Sequence, residues 1–206
     1  MPAVRKKPAK SSRLPGTPDR ILDVAEQLMQ TRGYNGFSYA DVAAKIGITK
    51  ASLHHHFNTK AVLGAAILER YARGFRDALA AIDAADLGAP LRLERYTRLY
   101  ADVLEQDRLC LCGMLAAEYA TLPKPMQRTI CAFFADNERW LARVIGDGRS
   151  GGTLHPRGTD EQVALALLGG LEGAMLVAWP LKNIASFAAS ARQLLTSLGG
   201  AAAGRA

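Results

Sequence analysis

Apolar residues recur along this chain at helical intervals, and the pattern predicts an all-α fold. The densest stretch is Ser38–Lys60, SYADVAAKIGITKASLHHHFNTK. Tyr39, Val42, Ala43 and Ile46 fall at i, i+3, i+4 and i+7, one apolar stripe of a short helix. Ser38 stands at its N-cap with Asp41 three residues on, a capping-box arrangement, and Gly47 can end it in the left-handed conformation. Thr49 can cap a second helix that turns Ile48, Leu53 and Phe57 inward. Its outward side carries Lys50, Ala51, Ser52, His54 and His55, small or able to donate hydrogen bonds. Two helices meeting at a Gly-containing turn, the second with a polar outer face, predict a helix-turn-helix that reads DNA.

The same periodicity lays out the rest. A first helix is expected over 18–32, with Thr17 as cap, Pro18 in the first turn and Ile21, Val24, Ala25 and Leu28 inward. Gly33 closes it, and Tyr34 and Phe37 supply aromatic packing before Ser38. After the motif, a helix over 60–83 carries Val62, Leu63, Ala66, Ile67, Tyr71, Phe75 and Leu79 as its seam, followed by a loop over 84–90. A helix over 91–106 turns Leu93, Tyr96, Leu99, Tyr100 and Val103 inward, and Arg92, Glu94, Arg95 and Arg98 read as its solvated face. A long helix is expected over 124–146, then a Gly/Ser-rich loop over 146–152. Another runs from Thr159 or Asp160 to Trp179 and stops before Pro180, and a last one covers 183–198. Its predecessor's apolar face, Val163, Leu167, Leu171 and Met175, suits a two-fold interface or, failing that, the protomer core. The expected organisation is a basic arm at 1–16, the helix-turn-helix domain at 17–60, a larger helical domain at 61–199 and a tail at 200–206.

Charge sharpens this reading. The net charge of +7 is unevenly placed: residues 1–60 hold 10 Lys/Arg against 4 Asp/Glu, leaving 16 against 15 for the remainder. The basic excess lies in and before the motif, where a phosphate backbone would be met. Arg5, Lys6, Lys7, Lys10 and Arg13, among prolines and without acids, suit either a flexible arm on DNA or a solubilising tail. Three cysteines in 206 residues argue against a disulfide framework and suit a reducing cytoplasm. The start of the chain has no apolar run of the secretory kind. The apolar stretch 163–179 is interrupted by glycines and Glu172, too broken to span a bilayer.

The run from Ile21 to Leu68 resembles the DNA-binding domain of the TetR (tetracycline-repressor) family. The matching features, in order, are a helix, Gly33-Tyr-Asn-Gly-Phe-Ser38, the Asp41-Val-Ala stripe, the Gly47-Ile48 turn, and a helix ending His56-Phe57-Asn-Thr-Lys60. The resemblance implies an all-helical homodimer bound to a pseudo-palindromic double-stranded operator, with a larger domain that takes a small-molecule effector. It places Lys50 and Ala51 against base edges, Ser52, His55 and Lys60 on phosphates, and Tyr39 near the backbone. Lys50 could donate to guanine and Ala51 could meet a thymine methyl. His54 stands where the family usually has Tyr, so a titratable group replaces an aromatic contact, and operator binding is expected to respond to pH. The adjacent His54, His55 and His56 point about 100° apart on a helix and cannot converge on one metal ion; His56 is expected to pack against the next helix beside Phe57.

Cys110-Leu-Cys-Gly-Met-Leu-Ala-Ala-Glu-Tyr119 is similar to the segment of those TetR-like repressors that sense electrophiles or oxidants through a cysteine. Cys112 near a helix start would have a lowered thiol pKa, and is the candidate sensor. The plain alternative makes both cysteines small core hydrophobes; Cys131, among Ile130, Phe133 and Phe134, reads as core. An effector pocket is expected from Tyr96, Tyr100, Cys112, Met114, Tyr119, Phe133, Trp140 and Trp179. Glu118 and Glu172, acids in apolar helices, suit a polar ligand or a structural hydrogen bond. No nucleophile elbow, P-loop or metal-binding histidine pair is present, so no catalytic residue, metal or cofactor is expected. Two other functions fit the motifs: a ligand-independent activator or architectural DNA-binding protein, and a thiol enzyme built on Cys112.

Overall fold

The computed structural model describes residues 16–199, and among these the regular elements are helical. The basic arm, except Gly16, and the tail lie outside the described residues.

Three short helices form the N-terminal unit: α1 (Thr17–Arg32), α2 (Tyr39–Ile46) and α3 (Lys50–His56). Ile21, Ala25 and Leu28 of α1, Val42, Ala43 and Ile46 of α2 and Leu53 of α3 close a small core. The first helix starts one residue earlier than the capping argument predicts. Gly16 is its N-cap without a side-chain bond, and Thr17 is already helical, because Pro18 in the first turn needs no donor partner and fixes the helix start alone. The α2 caps match the sequence signature. The Ser38 hydroxyl accepts from the Asp41 N–H while the Asp41 carboxylate accepts from the Ser38 N–H, and Gly47 takes φ +74°, the left-handed region. Thr49 accepts from the Ser52 N–H to start α3. The Arg20 guanidinium donates to the Ile46 carbonyl at 3.1 Å, so α1 also holds the end of α2.

The larger bundle comprises α4 (Lys60–Ala84), α5 (Ala89–Glu105), α6 (Leu111–Ala116), α7 (Lys124–Ser150), α8 (Asp160–Ala178) and α9 (Ile184–Thr196). A single 3-10 turn, Tyr119–Thr121, precedes α7. The predicted boundary at 60/61 falls within α4, which is shared. Its early turns pack on α1, where Arg70 pairs with Asp23 and Glu26, and its later turns enter the bundle.

Several expectations change once helices pack. Val62 is 48% exposed and leaves the α4 seam, which keeps the predicted Leu63 and Ile67 and adds Leu68. Arg92 is not on a solvated face: its side chain is only 11% exposed and bridges Asp83 and Asp147. Gly146 and Gly148 sit inside α7, which runs through the predicted loop to Ser150 because Gly148 lies against Leu154 and Ala89 where a side chain would not fit. The helix α8 runs through its glycines to Ala178, as the pattern predicts. By length and mean hydropathy (1.4) it could cross a membrane, but here it packs between α7 and α9 with Glu172 at its middle. Its predicted interface residues Val163, Leu167, Leu171 and Met175 are buried within the protomer. The apolar residues on the outside are instead Leu165 (57% exposed), Leu176 (51%) and Val177 (61%), with Leu181 and Ile184 beyond the helix.

Candidate nucleic-acid interface and the aromatic core behind it

On α3, only Leu53 is fully buried; Ile48 and Phe57 flank it, partly covered. That anchor fixes the opposite face. Lys50, Ala51, His54 and His55 are exposed and Ser52 is partly so, a short convex surface of donors and one methyl. His56 is exposed as well, its ring 5.5 Å from that of His55, and does not pack on α4. Lys50, Ala51, Ser52 and His55 thus stand together at one surface.

Tyr39 and Lys60 do not join them. The Tyr39 hydroxyl donates to the Phe57 carbonyl at 2.8 Å, and burial, helped by the nearby Tyr34, pushes its pKa up to about 12. Tyr39 therefore latches the start of α2 to the end of α3 instead of offering its hydroxyl to a DNA backbone. His54 lies over it, ring centroids 4.6 Å apart, with Nδ1 3.2 Å from the Asn58 carbonyl. The ammonium of Lys60 donates to the Phe37 carbonyl at 2.5 Å and sits over the Tyr34 and Phe37 rings at 4.6 and 4.5 Å. Burial lowers its pKa against the pull of Glu118 and Asp41. Thr59 caps α4 beside it. The family resemblance places this lysine on a phosphate; here the two aromatic faces and the Phe37 carbonyl hold its charge.

Behind this unit, Phe75 of α4 packs edge-on against Tyr96, Tyr100 and Phe133, with centroids 5.0–6.1 Å apart, and Tyr96 stacks on Trp140 at 5.4 Å. Tyr96 donates to Asn137 Oδ1 at 2.9 Å, which leaves Tyr100 to donate to Tyr96 at 3.1 Å. Tyr96, Tyr100, Phe133 and Trp140 are thus one buried cluster. Tyr119 is not part of it: it is 40% exposed, with its hydroxyl 3.3 Å from Cys131 Sγ. Cys131 is exposed, contrary to its expected core position, because it falls on the outer side of α7. Trp179, beyond α8, is partly covered and has Lys182 over its ring at 5.0 Å. Met114 of α6 is partly buried against the core. Sequence reasoning passed over Asn137, whose signal was an amide four residues after Phe133 in an apolar stripe.

Cys110 and Cys112 are both buried. Burial, reinforced by the Glu172 carboxylate, pushes both thiols well above the ordinary range. This reverses the expected activation of Cys112. A six-residue helix beginning at Leu111 offers little dipole, and an acid faces the thiol where a cation was needed. Tyr71 donates to Cys110 Sγ at 3.5 Å. Among the described residues no cluster of His, Cys, Asp or Glu could hold a metal ion.

The segment containing these cysteines grips α1 at both ends. Gln30 of α1 exchanges bonds with Leu109: its side-chain amide donates to the Leu109 carbonyl at 3.1 Å, and the Leu109 N–H donates back to the Gln30 carbonyl at 3.4 Å. At the other end, Glu118 accepts from the Tyr34 N–H at 2.6 Å and the Asn35 N–H at 3.4 Å, just past the end of α1. Glu118 therefore has the structural role, tying the reading unit to the bundle.

Residues 21–67 match the profile of the bacterial regulatory proteins of the tetR family. A crystal structure of a TetR-family transcriptional regulator from Agrobacterium tumefaciens superposes with a TM-score of 0.84 at 30% identity, covering 88% of this chain and 96% of that one. The transcriptional regulator AcuR of Cereibacter sphaeroides is 27% identical over 188 residues, 85% of this chain and 84% of AcuR. The HTH-type transcriptional repressor DhaR of a Mycobacterium species is 22% identical over 157 residues, 76% of this chain and 79% of DhaR.

Proposed function

The chain belongs to the TetR family of transcriptional regulators, and on that footing we propose that it is a cytoplasmic, homodimeric repressor released from its operator by a small molecule. The observation that carries the DNA reading is the α3 surface: Lys50, Ala51 and His55 exposed on a helix pinned from behind by Leu53. The pairing surface we assign to the outer stripe of α8, Leu165, Leu176 and Val177, continued by a groove against α9 lined by Gly173, Ala189 and Ser190. Small residues there let a second copy approach closely, and a two-fold pair would present two α3 helices to successive major grooves. The effector site we assign to the aromatic core, which α6 connects to α1. An effector works there by favouring the arrangement in which the two α3 helices no longer match the half-sites.

Selection of a duplex from a random pool, followed by titration with variants, tests this. Lys50→Ala is expected to lose about 1–3 kcal/mol at one base pair while changing random-DNA affinity much less. Equal losses on selected and random duplexes would remove Lys50 from base reading. Lys60 we assign a positioning role. Lys60→Met should destabilise the fold by about 1–2 kcal/mol, through loss of the bond to the Phe37 carbonyl. The salt slope of operator affinity should stay as in the parent, whereas a lost phosphate contact would flatten it by about 0.9.

A further inference from the structure

Glu172 is a half-buried acid whose carboxylate has no counter-ion. It lies at the middle of α8, and its Oε1 is buried with no hydrogen-bond partner. No Lys, Arg or His among the described residues forms an ion pair with it. The other carboxylate oxygen presses on α6: a Cβ on Gly113 would come within 2.1 Å of Oε2, so only glycine admits the acid here. Its charge is felt by Tyr71 of α4, Tyr96 and Tyr100 of α5, Cys110 at the N-cap of α6 and Cys112 within it, whose acidities burial and this carboxylate both suppress. Every titratable neighbour is thus neutral or a potential anion. As a folding element the residue is a cost in either protonation state, since Oε1 stays unsatisfied.

We propose that Glu172 anchors the effector and that the effector is an organic cation, an apolar amine or ammonium whose charge meets this carboxylate beside the rings of Tyr71, Tyr96 and Tyr100. The inference rests on the repressor reading above and specifies the ligand class of its site. A cation supplies what Oε1 lacks, and the faces of aromatic rings favour cations over anions. A metal ion is a poor alternative, since no grouping of ligands among the described residues suits one. The route outward is also present. Glu172 bears on Gly113, and the segment around Gly113 is bonded to α1 through Leu109 and Glu118. A ligand that draws the carboxylate off Gly113 changes how α6 holds α1.

The test uses the full-length protein on its selected duplex and one carbon skeleton with three head groups: 4-phenylbutylamine, 4-phenylbutanol and 4-phenylbutyrate. Tetraphenylphosphonium serves as a larger cation. Binding is followed by calorimetry and duplex release by fluorescence anisotropy. In the parent protein a cation is expected to bind at least about tenfold more tightly than the alcohol and to release the duplex. Glu172→Gln should erase that preference while keeping duplex binding. Between about pH 6 and pH 8 amine affinity should rise, because the amine stays protonated while the carboxyl gives up its proton. Preference for the acid, survival of the cation preference in Glu172→Gln, or failure of both cations to bind overturns the proposal. Failure of the unliganded parent to bind any selected duplex would instead overturn the repressor reading, so the two failures are separable.

Discussion

Glu172→Gln is expected to make the protein more stable by about 3 kcal/mol near pH 8 and to change little near pH 4. Burial raises the Glu172 carboxyl from an ordinary 4.5 to about 7, with a weak hydrogen bond from Cys110 working the other way. A raised acid pKa means that the native state holds its proton more tightly than the unfolded chain. The associated stability is therefore complete below about 4.5 and is lost as the pH climbs through about 7. Integrated over that interval, the loss is on the order of 3 kcal/mol. The glutamine keeps the shape and carries no charge, so the variant and the parent should diverge through this window. Urea midpoints measured from about pH 4 to pH 8 check this, and a pH-independent difference would show that the charge is not the cause. The thiols do not confuse the measurement, since Cys110 and Cys112 are pushed well above that range.

Gly36→Ala should destabilise the fold by about 3 kcal/mol, for a reason unrelated to charge. A Cβ at Gly36 would lie 2.0 Å from the Arg32 carbonyl oxygen and 2.9 Å from its carbon. The obstacle is main chain, so no rotamer change relieves it. The turn it occupies sets Tyr34 and Phe37 in place, and these form the socket for the Lys60 ammonium. Operator affinity should fall together with stability. Gly47→Ala is the contrasting case. Nothing lies within 4 Å of its added carbon, and only the φ of +74° opposes it, at about 1–2 kcal/mol. Comparable urea midpoints for the two variants would refute the steric argument.

What could be read from the sequence was what short-range chemistry decides. Ser38 with Asp41, Gly47, Thr49, and the stripe through Val42 and Ile46 specify α2 and α3 within a few residues, and the structure agrees. Three misplacements share one cause: each residue is claimed by a partner elsewhere in the fold. Lys60 is captured by Phe37, Arg92 by Asp83 and Asp147, and Tyr39 by Phe57. The apolar face of α8 was visible as a face, but which of its sides pointed inward depends on where α7 and α9 lie. The lowered thiol pKa expected of Cys112 was missed in the same way, since neither its burial nor the acid facing it is visible in the residues around it. Glu172 itself was conspicuous in an apolar helix. Its lack of a counter-ion is a three-dimensional fact.

The turn that follows the first helix is held by Glu118, 84 residues downstream of the Tyr34 N–H whose bond it accepts. During synthesis the operator-reading unit therefore leaves the ribosome with the Tyr34–Asn35 turn still unheld, and it is completed only after α6 has emerged and folded back. The same bond limits transplantation: a chimera joining residues 16–60 to another family member's bundle would lose this closure unless the new bundle presents a carboxylate at the same place. Exchange of DNA specificity between relatives is then constrained by a residue that touches no DNA.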